Sequence, residues 1–174
     1  MNLKSVVSGA IVLGVCFFLA TGAASAQDFV PGVEREITRD SVLTPCVGDL
    51  GSPACAFETV LYCMVLQDQK MCEDAGVHPE TDCHPEWITK IRYAIERVYG
   101  VDETDSWGPR LVPLSDEHRH ARVVHRVEVC VRDLPCASPT IVDFEEADRR
   151  DGVWKVRSPA SAAIYERQCY PADT

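Results

Sequence analysis

Pro85-Glu86-Trp87-Ile88-Thr89-Lys90-Ile91-Arg92-Tyr93-Ala94-Ile95-Glu96-Arg97-Val98-Tyr99-Gly100 is the stretch on which the fold turns. By spacing, Trp87, Ile88, Ile91, Ile95 and Val98 share one side of a 3.6-residue helix, with Lys90, Arg92, Glu96 and Arg97 on the other faces. Pro85 suits a first helical turn and Gly100 a C-terminal cap. The pattern predicts an amphipathic helix from 85 to 100.

A second helix is predicted just upstream. Ser52-Pro53 is a good helix start, with serine as N-cap and proline at the first helical position. Ala54, Phe57, Leu61, Met64 and Val65 recur at helical spacing to about residue 73, and Gly76 would end the element. Cys55 and Cys63 lie two turns apart in it, about 12 Å at 1.5 Å per residue, too far to bond to each other. Each needs a partner elsewhere. Cys72 and Cys83 flank a short polar loop, which makes a local bridge between them a reasonable expectation.

Downstream the period changes from 3.6 to 2. Val123, His125, Val127, Val129 and Val131 alternate with Arg122, Val124, Arg126, Glu128 and Cys130, predicting a long strand over 122–132 with one apolar face. Thr140 to Glu146 reads as a second strand, Arg149-Arg150-Asp151-Gly152 as a turn, and Val153 to Arg157 as a third. Residues 107–120 can supply a further strand, interrupted by Pro113, and 161–169 a short last helix. The expected fold class is α+β: N-terminal helices packed on one face of a three- to four-stranded antiparallel meander, disulfide-stabilised. Residues 27–51, punctuated by Pro31, Gly32, Pro45, Gly48 and Gly51, read as an irregular arm before a single domain over 52–174.

The first 26 residues have the three parts of an export signal: Lys4, an apolar run from Ile11 to Ala20, and Ala24-Ser25-Ala26 as a cleavage site before Gln27. Cleavage would leave Cys46, Cys55, Cys63, Cys72, Cys83, Cys130, Cys136 and Cys169, an even set suited to bridges outside the reducing cytoplasm. A periplasmic or secreted location follows. The chain carries a formal charge of −10, which argues against nucleic acid and anionic membranes as partners. No second apolar run is long enough to span a bilayer, so the processed product should be soluble.

The strand Ile141-Val142-Asp143-Phe144-Glu145, followed by Arg150-Asp151-Gly152-Val153-Trp154-Lys155-Val156, resembles the closing strand pair of NTF2-like (cystatin-cone) proteins, over residues 53–158. The resemblance implies a cavity between sheet and helices that serves either catalysis or binding.

Few residues offer chemistry. The alternation aims His125 at the core, where it is either a buried structural histidine or, with Asp143 or Glu145 to orient it, a general base. His118 and His120, with Asp116, are candidates for a divalent metal if they share a strand face. His78 and His84 flank Cys83, where a disulfide competes with zinc. Cys130 and Cys136 bracket a five-residue loop and suit a static bridge. No Cys-x-x-Cys occurs, against a redox role. Asp102-Glu103-Thr104-Asp105 lacks the glycine and closing glutamate of a calcium loop. No Gly-x-Ser-x-Gly, phosphate loop or His-Glu-x-x-His occurs.

The sequence therefore points to an exported binding or interaction domain of the cell envelope, with no cofactor. Its expected partner is a protein with a basic surface, since an acidic chain can dock one. Two rival readings stand beside it: a cone-fold hydrolase or isomerase using His125, and a periplasmic metal binder using His118 and His120.

Overall fold

The computed structural model describes residues 30–77, 88–102, 108–132, 135–136 and 143–157. The expected export signal, the 161–169 helix, Cys83, Cys169, His78 and His84 lie outside the described residues. The elements run β1 (Arg35–Thr38), α1 (Pro53–Leu66), α2 (Gln69–Asp74), β2 (Ile88–Asp102), β3 (Arg110–Pro113), β4 (His120–Val131), β5 (Asp143–Arg150) and β6 (Val153–Arg157). The strands form one sheet in the order β1-β2-β4-β5-β6, with β3 also paired to β2.

The α+β expectation fails at the stretch that decided it. The residues predicted as a second helix are β2, the longest strand among those described and antiparallel to β1, β3 and β4. Antiparallel sheet dominates, with six strands and two short helices among the described residues. The error has a physical cause. The pairing of β2 with β4 slips between Ile88 and Lys90 and again between Ile95 and Arg97. Thr89 and Glu96 are the extra residues at two β-bulges, and each bulge shifts the inward-facing set by one position. Ile88, Ile91, Tyr93, Ile95 and Gly100 are buried while Val98 is half-buried. Two bulges thus stretch a period of two into steps of three and four at Ile88, Ile91, Ile95 and Val98, which imitates a helical stripe. The β-branched and aromatic content of Ile88-Thr89, Ile91, Tyr93, Ile95 and Val98-Tyr99 decides for the strand.

The other elements depart less. The helix expected over 53–73 is two helices. Ser52 caps α1, its side chain accepting from the Cys55 N–H, and Pro53 opens it. Gln67 then turns into the left-handed region and closes α1, after which the Asp68 side chain caps α2 by accepting from Met71 N–H. The stretch expected to be an irregular arm supplies β1, whose Ile37 is completely buried. The β5–β6 hairpin closes through Asp151 and Gly152, both at positive φ, a two-residue turn suited to Asp-Gly.

Every residue of α1 from Pro53 to Val65 is buried. The helix packs against β2, β4 and β5 and also against β1 and β6 at opposite ends of the sheet. The sheet therefore curls around α1 as its axis. Cys46–Cys55 and Cys63–Cys72 fasten the helix to the segment before it and to α2. Each closes a short loop and contributes about 2–3 kcal/mol in the chain-entropy account. Cys72 is thus joined to Cys63 and not to Cys83, because α2 folds back beside the second half of α1. Cys130–Cys136 closes the loop after β4.

The outer edge of β6 is sealed by backbone. Trp154 N–H donates to Leu50 C=O and Val156 N–H to Ala75 C=O, both at 2.8 Å. The second contact brings Gly76 so close to β6 that a Cβ there would lie 2.9 Å from Lys155 Cβ and Val156 O, at a φ of +97°. Gly152, at φ +84°, has nothing within 4 Å of the same position. We therefore expect Gly152→Ala to cost about 1 kcal/mol from backbone strain alone, and Gly76→Ala clearly more. Chemical denaturation midpoints of the two variants measure the difference.

Candidate functional site

The apolar face of β4 meets α1 directly. His125 is 1% exposed and its ring stacks on Phe57 with centroids 4.4 Å apart and planes 20° apart. The imidazole is thus sandwiched between sheet and helix. Register places Asp143 of β5 opposite His125, while the side chains of Asp143 and Glu145 lie outside the described set.

His118 and His120 do not share a site. His118 sits in the turn before β4, with Nδ1 2.8 Å from Ser115 Oγ and Nε2 3.5 Å from Asp102 Oδ1. His120 opens β4, and its Nδ1 lies 2.8 Å from Asp148 Oδ1 on β5. Each histidine faces a different carboxylate on opposite sides of β4. Among the described residues no group of three side chains is placed to hold a metal ion. Asp116 lines a polar cleft of about 420 Å³ with His118, Arg119 and Arg149, and its carbonyl accepts from Arg149.

Two polar clusters that the sequence reading did not single out organise the fold. The first is centred on Glu58, 1% exposed and the one charged residue of α1. Its carboxylate accepts from Arg35 of β1 at 3.0 and 3.2 Å and from Thr44 Oγ1 at 2.8 Å. The Tyr93 phenol of β2 lies beside this pair, buried and without a well-formed hydrogen bond among the described residues. Burial, reinforced by the Glu58 charge, holds its ionisation far above the ordinary tyrosine range. Tyr62 is shifted upward for the same two reasons and donates to the Val42 carbonyl at 3.3 Å. A single acidic residue inside an apolar helical run was the signal for this cluster, but its partner Arg35 lies in a segment without helical or strand period.

The second cluster surrounds Asp148 on the outer face of β4, β5 and β6. Asp148 is 7% exposed. Besides His120, its Oδ2 faces Arg150 at 3.3 Å and Arg157 at 3.8 Å, and Lys155 is its directly paired residue on β6. Further along the same outer face the charges alternate in sign between strands. Arg92 pairs with Glu36 and Glu128, Arg126 with Glu96, and Arg122 with Glu146. Most of that face is neutralised by its own cross-strand pairs.

A groove of about 460 Å³ lies between α2, the loop at 48–50 and β6. Leu50, Met71 and Val153 give it an apolar floor, and Asp68, Asp74, Lys70 and Lys155 a charged rim. Among the described residues no helix is long and apolar enough to cross a membrane. The chain matches no family model, no curated protein and no solved structure.

The Glu58 cluster makes two testable statements. Glu58→Gln removes a charged acceptor from Arg35 and Thr44 and should lower stability by about 1.5–3 kcal/mol, read from urea denaturation. Tyr93 has its folded pKa raised above its unfolded value, so its contribution is intact below the unfolded value of about 10 and is lost as pH rises past it. Stability of Tyr93→Phe should match or exceed the parent at pH 7 and decline less steeply above pH 10. A parallel decline in both proteins would remove Tyr93 from the account.

Proposed function

We propose that this chain is a disulfide-stabilised interaction domain of the cell envelope that docks a basic protein through the groove beside α2. The observation that carries the reading is the placement of α1. The helix fills the concave side of the sheet, and Phe57 covers the ring of His125. A general base needs to reach a proton on its substrate, and this imidazole is closed off by its own core. Function then belongs to the outer surface.

Three disulfides among the described residues are compatible with an exported domain. The groove combines an apolar floor with Asp68 and Asp74 at its rim, and Asp49 and Glu73 add acidic charge on the flanking loop and helix. Lys70 and Asp74 offset each other in a short ion pair within α2, which leaves Asp68, Asp49 and Glu73 against Lys155. With a chain charge of −10, the field around this end favours a cationic partner and speeds its approach. The rigid frame needed to present such a surface comes from the Cys63–Cys72 bridge, which fixes α2 against α1.

The test is photocrosslinking in the exporting cell, with the crosslinking residue placed at Met71 in the groove or at Arg126 on the self-paired outer face. A discrete adduct with a basic protein from position 71, absent from position 126, is the expected outcome. Equal labelling from both positions, or an acidic adduct, would overturn the proposal.

A further inference from the structure

The Asp148 cluster carries a second site, on the outer face of β5 and β6 and adjoining the groove through Lys155. We infer that Arg150, Arg157 and His120, arranged around Asp148, bind the phosphomonoester group of a small soluble ligand.

The argument starts from register. Asp148 and Arg150 are two residues apart on β5, and Lys155 and Arg157 are two apart on β6, so all four share the outer face. His120 is paired with Asp148 from the other side. One nearly buried carboxylate therefore gathers three cationic or cation-forming side chains, with Lys155 directly across from it. Asp148 Oδ1 is taken by His120 at 2.8 Å, while Oδ2 faces Arg150 at 3.3 Å and Arg157 at 3.8 Å. A second carboxylate, Glu146, is the register partner of Arg157 on the same face, and Arg122 lies 3.4 Å from it. Four permanent positive charges, on Arg122, Arg150, Lys155 and Arg157, against the carboxylates of Asp148 and Glu146 leave a local excess of two, on a chain whose total is −10.

The excess is also presented outward. The Arg150 and Arg157 side chains are 67% and 64% exposed, with a nitrogen of each facing Asp148 Oδ2. Guanidinium groups have five donors in a planar fork, matched to the oxygens of phosphate. Asp148 thus acts as an anchor that points two forks at a common position. Elsewhere on this face Arg92 meets Glu36 and Glu128, and Arg126 meets Glu96, on neighbouring strands. The cluster differs in having cations outnumber carboxylates.

Charge also selects the size of the ligand. A local excess of two complements a phosphomonoester dianion, whereas a polyanion or an anionic membrane would extend over the acidic remainder of the molecule and be repelled. The ligand is accordingly small, with one such group.

The experiment titrates the full processed chain with glycerol 3-phosphate at physiological salt, following backbone amide shifts by NMR. Saturable shifts at 120, 148–150 and 155–157 are expected. Arg150→Gln/Arg157→Gln should weaken binding roughly tenfold or more, while Arg97→Gln, an exposed arginine facing Tyr99, should leave it unchanged. Unchanged circular dichroism confirms that the exposed double variant remains folded. Asp148→Asn separates an organised site from mere positive charge: weaker binding supports the anchor role, and tighter binding sinks it. Equal affinity for acetate, or stronger association with phosphatidic acid vesicles than with glycerol 3-phosphate, would also overturn the assignment.

Discussion

A helix buried on every side is the constraint from which the rest of the structure follows. An isolated segment such as Pro53–Val65 has no polar face to turn to water, so it must be enclosed. The sheet achieves this by curling until β1 and β6, its outermost strands, both reach the helix. Bulges in β2 increase the local bend and twist of the longest strand and help that curvature. The Glu58–Arg35 pair and the Cys46–Cys55 bridge then fix the helix to the sheet margin and to the chain that precedes it.

This enclosure fills the concave side of the sheet with α1. In a sheet that holds a cavity, a histidine on the inward face stands ready for a ligand. Here the same position is filled by Phe57, and His125 becomes part of the packing. Two polar residues of the helix are engaged with neighbours: Thr59 donates to the Cys55 carbonyl and accepts from Gly48 N–H, and Glu58 accepts from Arg35 and Thr44. Such pairing is what burial demands of them. The outer face is where charge is distributed unevenly, with balanced rows over β1, β2 and β4 and a cationic corner over β5 and β6.

The legibility of these features follows their dependence on local or distant sequence. The cap at Ser52-Pro53, the alternation of β4, the Asp-Gly hairpin and the inward aim of His125 depend on neighbours a few residues away, and all are readable directly. β2 was misread because bulges are set by pairing with β4, and pairing is invisible in a single strand. β1 was missed because four residues are too few to show a period. The Cys63–Cys72 bridge depends on α2 folding back after Gln67, a left-handed residue that is not glycine. In the sequence Asp148 is one acidic residue among Glu145, Glu146 and Asp151, and only the register of three strands brings His120, Arg150 and Arg157 around it.

The sealing of β6 gives the sheet two unlike margins. With Trp154 and Val156 already donating to Leu50 and Ala75, that side offers no row of amides to an incoming chain. Lateral growth of the sheet, whether by strand exchange between copies or by fibril formation, is thereby blocked at one border. Self-association of this kind has polarity built in, directed away from the β6 border.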